Sequence, residues 1–144
     1  MEKYRKGIIA VIRNSEGQVL VCERSDIPGA WQFPQGGIEK GETARQAFFR
    51  ELSEELGNGN CEILQESELT TRYEWPRPKK KNDRLGQEHF WFLAKYNEGE
   101  HPDLKKSDHC FRNYEWVEVE KCILRIVEFK RPSYQAGLAM LGLF

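Results

Sequence analysis

The chain lacks a surplus of charge of either sign, a paired-cysteine motif and any long apolar run. Each absence removes a class of protein. With 22 basic and 23 acidic residues the formal net charge is -1, so the chain as a whole is not a polycation built to coat nucleic acid, and any such affinity is local. Cys22, Cys61, Cys110 and Cys122 lie far apart with no C-x-x-C pair among them. Reduced thiols and a cytoplasmic location are therefore expected, not a disulfide scaffold. The apolar run GIIAVI at 7–12 ends at Arg13, too short for a signal segment, and nothing approaches the roughly 18 apolar residues of a membrane helix. The chain is expected to be soluble and unexported, with no membrane contact and no obligate protein partner. Neither a G-x-x-x-x-G-K-[ST] loop nor a Ser/His/Asp arrangement is visible, which removes two common routes of catalysis. No internal repeat or low-complexity tract is present, and 144 residues suit one domain spanning 1–144.

What is present reads as strands mixed with segregated helices. GIIAVI (7–12) and QVLVCE (18–23) are short β-branched runs around the turn residues NSEG, the pattern of a hairpin. RSDIPGAWQFPQGG (24–37) is punctuated by Gly and Pro and reads as a loop. Thr43 with Gln46 three residues on is a capping box, and no Gly or Pro follows until Gly57, which predicts a helix over 43–56. CEILQESELTTRYEW (61–75) is strand-like with interruptions, RPKKKNDRLG (77–86) is a polar loop, and QEHFWFLAKY (87–96) is an aromatic-rich strand buried on both faces. NYEWVEVE (113–120) alternates as a further strand. The tail from Val119 has helical spacing broken at Pro132, which predicts two short helices separated by EFKRP. The fold class expected is α+β, a mixed-sheet sandwich.

The end of the first helix poses the chemical question. Glu51 and Glu55 project into one narrow sector with Glu54 beside them, because positions i, i+3 and i+4 share a face. The apolar row Ala44, Phe48, Leu52 and Leu56 overlaps the edge of that sector, so the carboxylates border the core. Like charges beside apolar surface repel unless a cation is present. Hard divalent ions suit oxygen ligands, and Mg²⁺ favours a few carboxylates, retained waters and substrate phosphates. An ordinary solvated helix face is the competing reading.

Spacing decides between them. The stretch fits G-x5-E-x7-R-E-U-x-E-E-x-G-U, with U apolar, at Gly36, Glu42, Arg50, Glu51, Leu52, Glu54, Glu55 and Gly57, and departs from it at Asn58. Seven fixed positions coincide by chance at on the order of 10⁻⁸ per start point. The pattern resembles the Nudix box, so the chain resembles a Nudix hydrolase, a family that cleaves nucleoside diphosphates linked to another moiety with Mg²⁺ or Mn²⁺. The resemblance implies a loop-helix-loop in an α/β/α sandwich with C-terminal helices packed on the mixed sheet. It implies Glu51 and Glu55 as principal metal ligands, Glu54 as a further ligand or base, and the Gly36 carbonyl completing the site. Glu42 and Arg50 become a structural pair, a role their charges also support. Such a site activates water, neutralises phosphate oxygens and stabilises the departing phosphate.

The flanks narrow the substrate. WQFPQGGIEKGE, the R-Y-x-x-P of Arg72, Tyr73 and Pro76, the G-Q-x-x-x-W-F-L of Gly86 to Leu93, and FKR at 129–131 followed by Tyr134 resemble the bacterial Nudix branch of RNA pyrophosphohydrolases and diadenosine polyphosphate hydrolases. So does the pair Tyr4-Arg5. That likeness implies Arg24 and Phe129 sandwiching a base, Lys130 on a base edge, Arg5 on a phosphate, and Gln35 and Tyr73 shaping the substrate pocket. An Arg plane and an aromatic face stack on any base; core packing is the ordinary alternative for Phe129. Arg72, Arg77, Lys79, Lys80, Lys81 and Arg84, interleaved with Tyr73 and Trp75, suit a path for an RNA backbone or a solubilising loop. The substrates implied are 5'-triphosphorylated RNA, or else dinucleoside polyphosphates or nucleoside triphosphates.

One departure touches the chemistry. Where that branch often carries T-P-E-F, whose Glu serves as an extra ligand or base, this chain has Ser107, Asp108, His109, Cys110 and Phe111, with Cys110 in the acid's slot. A thiol is a poor Mg²⁺ ligand. Asp108, Glu88 and Glu54 stay open as the base, although Glu88 alternates with buried aromatics and is expected to face solvent.

Overall fold

The computed structural model describes residues 3–76 and 84–144. Two sheets form its middle. The first has the order β4-β1-β6-β5, built from β1 (Tyr4–Ile12), β4 (Gln35–Gly37), β5 (Cys61–Glu74) and β6 (Gly86–Tyr96). The second has the order β3-β2-β7, from β2 (Val19–Arg24), β3 (Trp31–Gln32) and β7 (Phe111–Val117). Helix α1 (Ala44–Leu56) covers one side, and α2 (Val119–Arg125) and α3 (Arg131–Met140) cover the other.

Alternation in the strands produces this layering. Ile8, Ala10 and Ile12 of β1, Leu20 and Cys22 of β2, and Phe92 and Ala94 of β6 pack with Phe48, Leu52 and Leu56 of α1. The residues between them, Ile9 and Val11, Val19 and Val21, Trp91 and Leu93, pack with Phe33, Ile123, Tyr134 and Leu138. Strands β1 and β6 therefore bury both faces, as expected of the centre of a mixed sheet. The α+β sandwich expected from the sequence is present.

Four readings need correction. The runs at 7–12 and 18–23 do turn back through Asn14 and Gly17, but only the Arg13–Val19 bridge joins them before they part into different sheets. The ladder partners of β1 are β6, in parallel from Tyr4↔Gly86 to Ile12↔Ala94, and the short β4. A parallel partner lies far along the chain, beyond any local hairpin signal. The stretch read as a loop at 24–37 contains β3 and β4, too short for a periodic signature. The strand read at 113–120 runs over Phe111–Val117, and Glu118 then caps α2, so that Val119 and Glu120 are helical. The separator expected at EFKRP shrinks to the turn Glu128–Lys130, because Arg131 and Pro132 already lie in the first turn of α3, where the missing N–H of Pro132 costs nothing. Of the basic stretch, Arg77, Lys79, Lys80 and Lys81 lie outside the described residues. Among the described residues no helix is long and apolar enough to cross a membrane.

Candidate active site

Helix α1 is fixed at both ends by its own residues. Thr43 Oγ1 accepts from Gln46 N at 3.1 Å while the Gln46 side chain accepts from Thr43 N at 2.8 Å, and Gly57 closes the helix in the left-handed conformation at φ 70°. The departure at Asn58 serves the exit: its side-chain amide donates to Glu100 at 2.8 Å and to the His101 carbonyl at 3.0 Å. The helix thereby presents its three acids at graded depth. Glu55 is buried, Glu51 nearly so, and Glu54 is about half exposed at 48%.

Arg50 does more than pair with Glu42. Its Nε and Nη2 donate to the two Glu42 oxygens at 2.7 and 2.9 Å, and Nη2 also reaches the Gly37 carbonyl at 2.7 Å. Its Nη1 donates to Glu51 at 2.8 Å and to Glu54 at 3.4 Å. One guanidinium thus ties the helix to the glycine turn and supplies part of the counter-charge for the acids. The hydrogen bonds from Arg50, then that from Glu39 N, hold Glu42 down to about 2. Glu51 is shifted the other way, above the usual carboxylate range, first by burial and then, against Arg50, by the charges of Glu54 and Asp108. Burial raises Glu55 strongly, with Glu51 and Asp108 adding to it. These protons are poorly released in the absence of more positive charge.

Strand β4 lies against these carboxylates. The Gln35 N–H donates to Glu55 Oε1 at 3.0 Å. Gly36 sits so close to Glu51 that an added Cβ would fall 2.0 Å from the carboxyl carbon, so any side chain there displaces the acid. Asp108 approaches from the loop before β7, where its N–H donates to the Glu54 carbonyl at 2.7 Å. Glu88 is elsewhere. It is largely buried instead of facing solvent, accepts from Thr70 Oγ1 at 2.5 Å, pairs with Arg72 at 3.6 Å, and lines a separate pocket with Lys3 and Lys6. The Glu55 carboxylate and Asp108 face one cavity, and Glu88 does not.

That cavity, of about 610 Å³, opens where the two sheets diverge. Its lining brings together Gly36 and Glu55 with Arg5, Arg24, Gln35, Tyr73, Phe129 and Lys130, residues from both ends of the sequence. Glu51, Glu54 and Arg50 on α1, and Glu42 just before it, are not part of that lining. Arg24, at a register shift ending β2, is held by Asp26 through bonds of 2.9 and 2.6 Å. Phe129 is half-buried on a 3₁₀ turn, edge-on to Tyr73 at 5.6 Å, so it faces the cavity and not the core between helices. Lys130 is buried, donates to Gln32 at 3.1 Å and lies 5.4 Å over the Tyr73 ring; burial lowers its pKa to about 8. Cys110 sits at the mouth with its thiol pushed up to about 12, first by desolvation and then by Asp108.

Sequence reasoning missed two contributors. Gln87 accepts from Tyr73 at 2.9 Å and from Gln35 at 3.3 Å, and Tyr134 donates to Gln35 at 2.5 Å. Both fall inside stretches already singled out, G-Q-x-x-x-W-F-L and FKR followed by Tyr134, but residue type alone assigned them nothing.

The pattern that defines the NUDIX domain matches residues 3–137. The chain belongs to the Nudix hydrolases. It is 38% identical to a Helicobacter pylori protein named RNA pyrophosphohydrolase, over 96% of this chain and 93% of the relative. Among solved structures it superposes on the E. coli dihydroneopterin triphosphate pyrophosphohydrolase with a TM-score of 0.75 at 22% identity, covering 96% and 97% of the two chains. It also superposes on a C. elegans Ap4A hydrolase binary complex with a TM-score of 0.67 at 25% identity, covering 94% and 98%.

Nudix hydrolases depend on divalent cations. The donors here fit one: carboxylate oxygens whose mutual repulsion and burial already oppose their charge, beside a glycine too tightly placed for a side chain. Arg50 neutralises Glu51 and Glu54 only in part, because its shortest bonds are spent on Glu42 and Gly37.

Proposed function

We propose that this Nudix hydrolase is an RNA 5'-pyrophosphohydrolase, converting 5'-triphosphorylated RNA to 5'-monophosphorylated RNA by hydrolysis of a phosphoanhydride. The observation that carries the reading is one cavity in which a base-stacking platform, Arg24 and Phe129, opens onto the acid cluster at Glu55. The full-length likeness to an RNA pyrophosphohydrolase supports the substrate class.

Glu51, Glu55 and the Gly36 carbonyl would hold the cation, Mg²⁺ with Mn²⁺ as substitute, and Glu54 would complete or adjust the set. The cation supplies charge neutralisation at the polyphosphate and activation of water. The chain does the rest. Glu54, the most exposed of the three acids, accepts the proton of the attacking water. Arg5, exposed beside Gly37, takes a phosphate. Arg24 and Phe129 stack the first base, Lys130 donates to a base edge, and Tyr73 supports both from below. Arg72 and Arg84 lead the downstream strand away. We assign the whole of 1–144 to one domain and place it in the cytoplasm, in keeping with four free thiols.

The fold shared with an Ap4A hydrolase favours dinucleoside polyphosphates as the second reading. Competition between triphosphorylated RNA, Ap4A and dNTPs with Mg²⁺ decides between them. RNA is expected to be turned over preferentially, and a preference of about two orders of magnitude in kcat/KM for Ap4A, equivalent to about 2.7 kcal/mol, overturns the assignment.

A further inference from the structure

The segment from Phe33 to Gly37 is gripped from two sides. On the α1 side, Gln35 N–H binds Glu55 at 3.0 Å and Gly36 abuts Glu51. On the α3 side, the fully buried Tyr134 stacks its ring on Phe33, with centroids 5.1 Å apart and planes 6° apart, and donates its hydroxyl to Gln35 Oε1 at 2.5 Å. The Gln35 amide nitrogen donates to Tyr73 Oη at 2.9 Å and to Gln87 Oε1 at 3.3 Å. The donors of the amide are thus used up: two partners take its two N–H groups, while its oxygen accepts from the Tyr134 hydroxyl. Gln35 has no donor left for a phosphate, and its side chain works as a hub between α3 and the strand that lies on the acids.

We propose that Tyr134 is a positioning residue that sets the affinity of the acid cluster for a divalent cation, acting through Gln35. The inference rests on the reading that Glu51 and Glu55 hold the cation. Removing the Tyr134 hydroxyl takes from the half-buried Gln35 oxygen its protein donor, and the amide can then rotate out of its bonds to Tyr73 and Gln87 toward the cavity. The N–H of the same residue holds Glu55, and the next residue carries the Gly36 carbonyl, so rotation there spreads to the donors. The route has a second terminus. Helix α3 begins directly after the 3₁₀ turn that carries Phe129 and Lys130. A base seated on Phe129 therefore bears on the same helix that holds Gln35, and nucleotide and cation binding are coupled reciprocally.

The test titrates Mn²⁺ into the full chain, with free Mn²⁺ followed by EPR and no nucleotide present. Tyr134→Phe, which keeps the ring on Phe33, is expected to weaken Mn²⁺ binding by about 10-fold, the lower end of the 10- to 100-fold typical of residues that orient metal ligands. Gln35→Met is expected to do the same, and the double variant to be no weaker than the weaker single one. A Tyr134→Phe affinity within twofold of wild type, or losses that multiply in the double variant, overturns the inference. If Tyr134→Phe loses its cooperative melt, Gln35→Met decides alone, and unchanged Mn²⁺ binding there overturns it. Wild type that binds no Mn²⁺ overturns the cation reading of the acids as well, which separates the two failures.

Discussion

The two walls of the cavity are built to different standards. The wall carrying the acids comes from one helix closed at both ends and from a strand segment pressed against it, with Arg50 bonded to Glu42, Glu51, Glu54 and Gly37. The wall proposed to carry the base comes from a single 3₁₀ turn at Phe129 and Lys130 and from Arg24, whose side chain bonds Asp26 at a strand end where the register shifts. Water attack on a phosphoanhydride needs donors placed to within a fraction of an ångström, and the first wall has the fixity that the proposed role requires. Stacking tolerates any base and small displacements, so the second wall needs far less. On the proposed roles, the contrast teaches a separation, with fixity concentrated where chemistry needs it and relaxed where selection tolerates displacement, and with the Gln35 hub proposed as the link between them.

Substitutions on the first wall test the separation most severely. Glu54→Gln keeps the size and the caps of α1 but removes the proposed proton acceptor, and kcat is expected to fall on the order of 10²- to 10⁴-fold with KM little changed. A rapid-quench assay on triphosphorylated RNA that shows kcat within tenfold of wild type places the base elsewhere, with Asp108 the next candidate. On the second wall, Phe129→Ala is expected to raise KM by about 5- to 150-fold, the 1–3 kcal/mol of one base stack, while kcat is retained. An equal loss in kcat breaks the separation.

The smallest effect is a pH dependence. Lys130 is brought from 10.5 to about 8, chiefly by burial. Between about pH 8 and 10.5 the unfolded chain keeps a proton that the folded protein has released, so this group adds to fold stability as pH rises through that window. Its charge over the base platform is lost over the same rise. Nucleotide affinity is expected to fall by up to about 10-fold from pH 7 to pH 9, as the protonated fraction of a group with a pKa of about 8 drops, with Lys130→Met flattening the profile. An NMR titration of the lysine side chains with a midpoint near 10.5 for Lys130 contradicts it.

What could be read in the residues alone follows from the range of each interaction. Helix α1 and its acids were legible because Thr43, Gln46, Gly57 and the spacing of Glu51 and Glu55 act within a few turns of chain. The splitting of 7–12 from 18–23 was not, because β1 takes its partner from Gly86–Tyr96, beyond five other elements. The same distance hid the hub, whose members Gln35, Tyr73, Gln87 and Tyr134 come from four separate elements. Phe129 and Glu88 were each given two environments by residue type, and only tertiary position turned the first toward the cavity and the second away from it. Arg50 was legible as a partner for Glu42, but its second reach to Glu51 and Glu54 needed the helix to be wound and placed.

That second reach has a practical consequence. A carboxylate cluster with an internal guanidinium for company does not rely on an added ion to hold its backbone in place, so the polypeptide acquires its shape before it is loaded. Material stripped with a chelator is expected to keep its cooperative melt and to regain activity when the ion is returned.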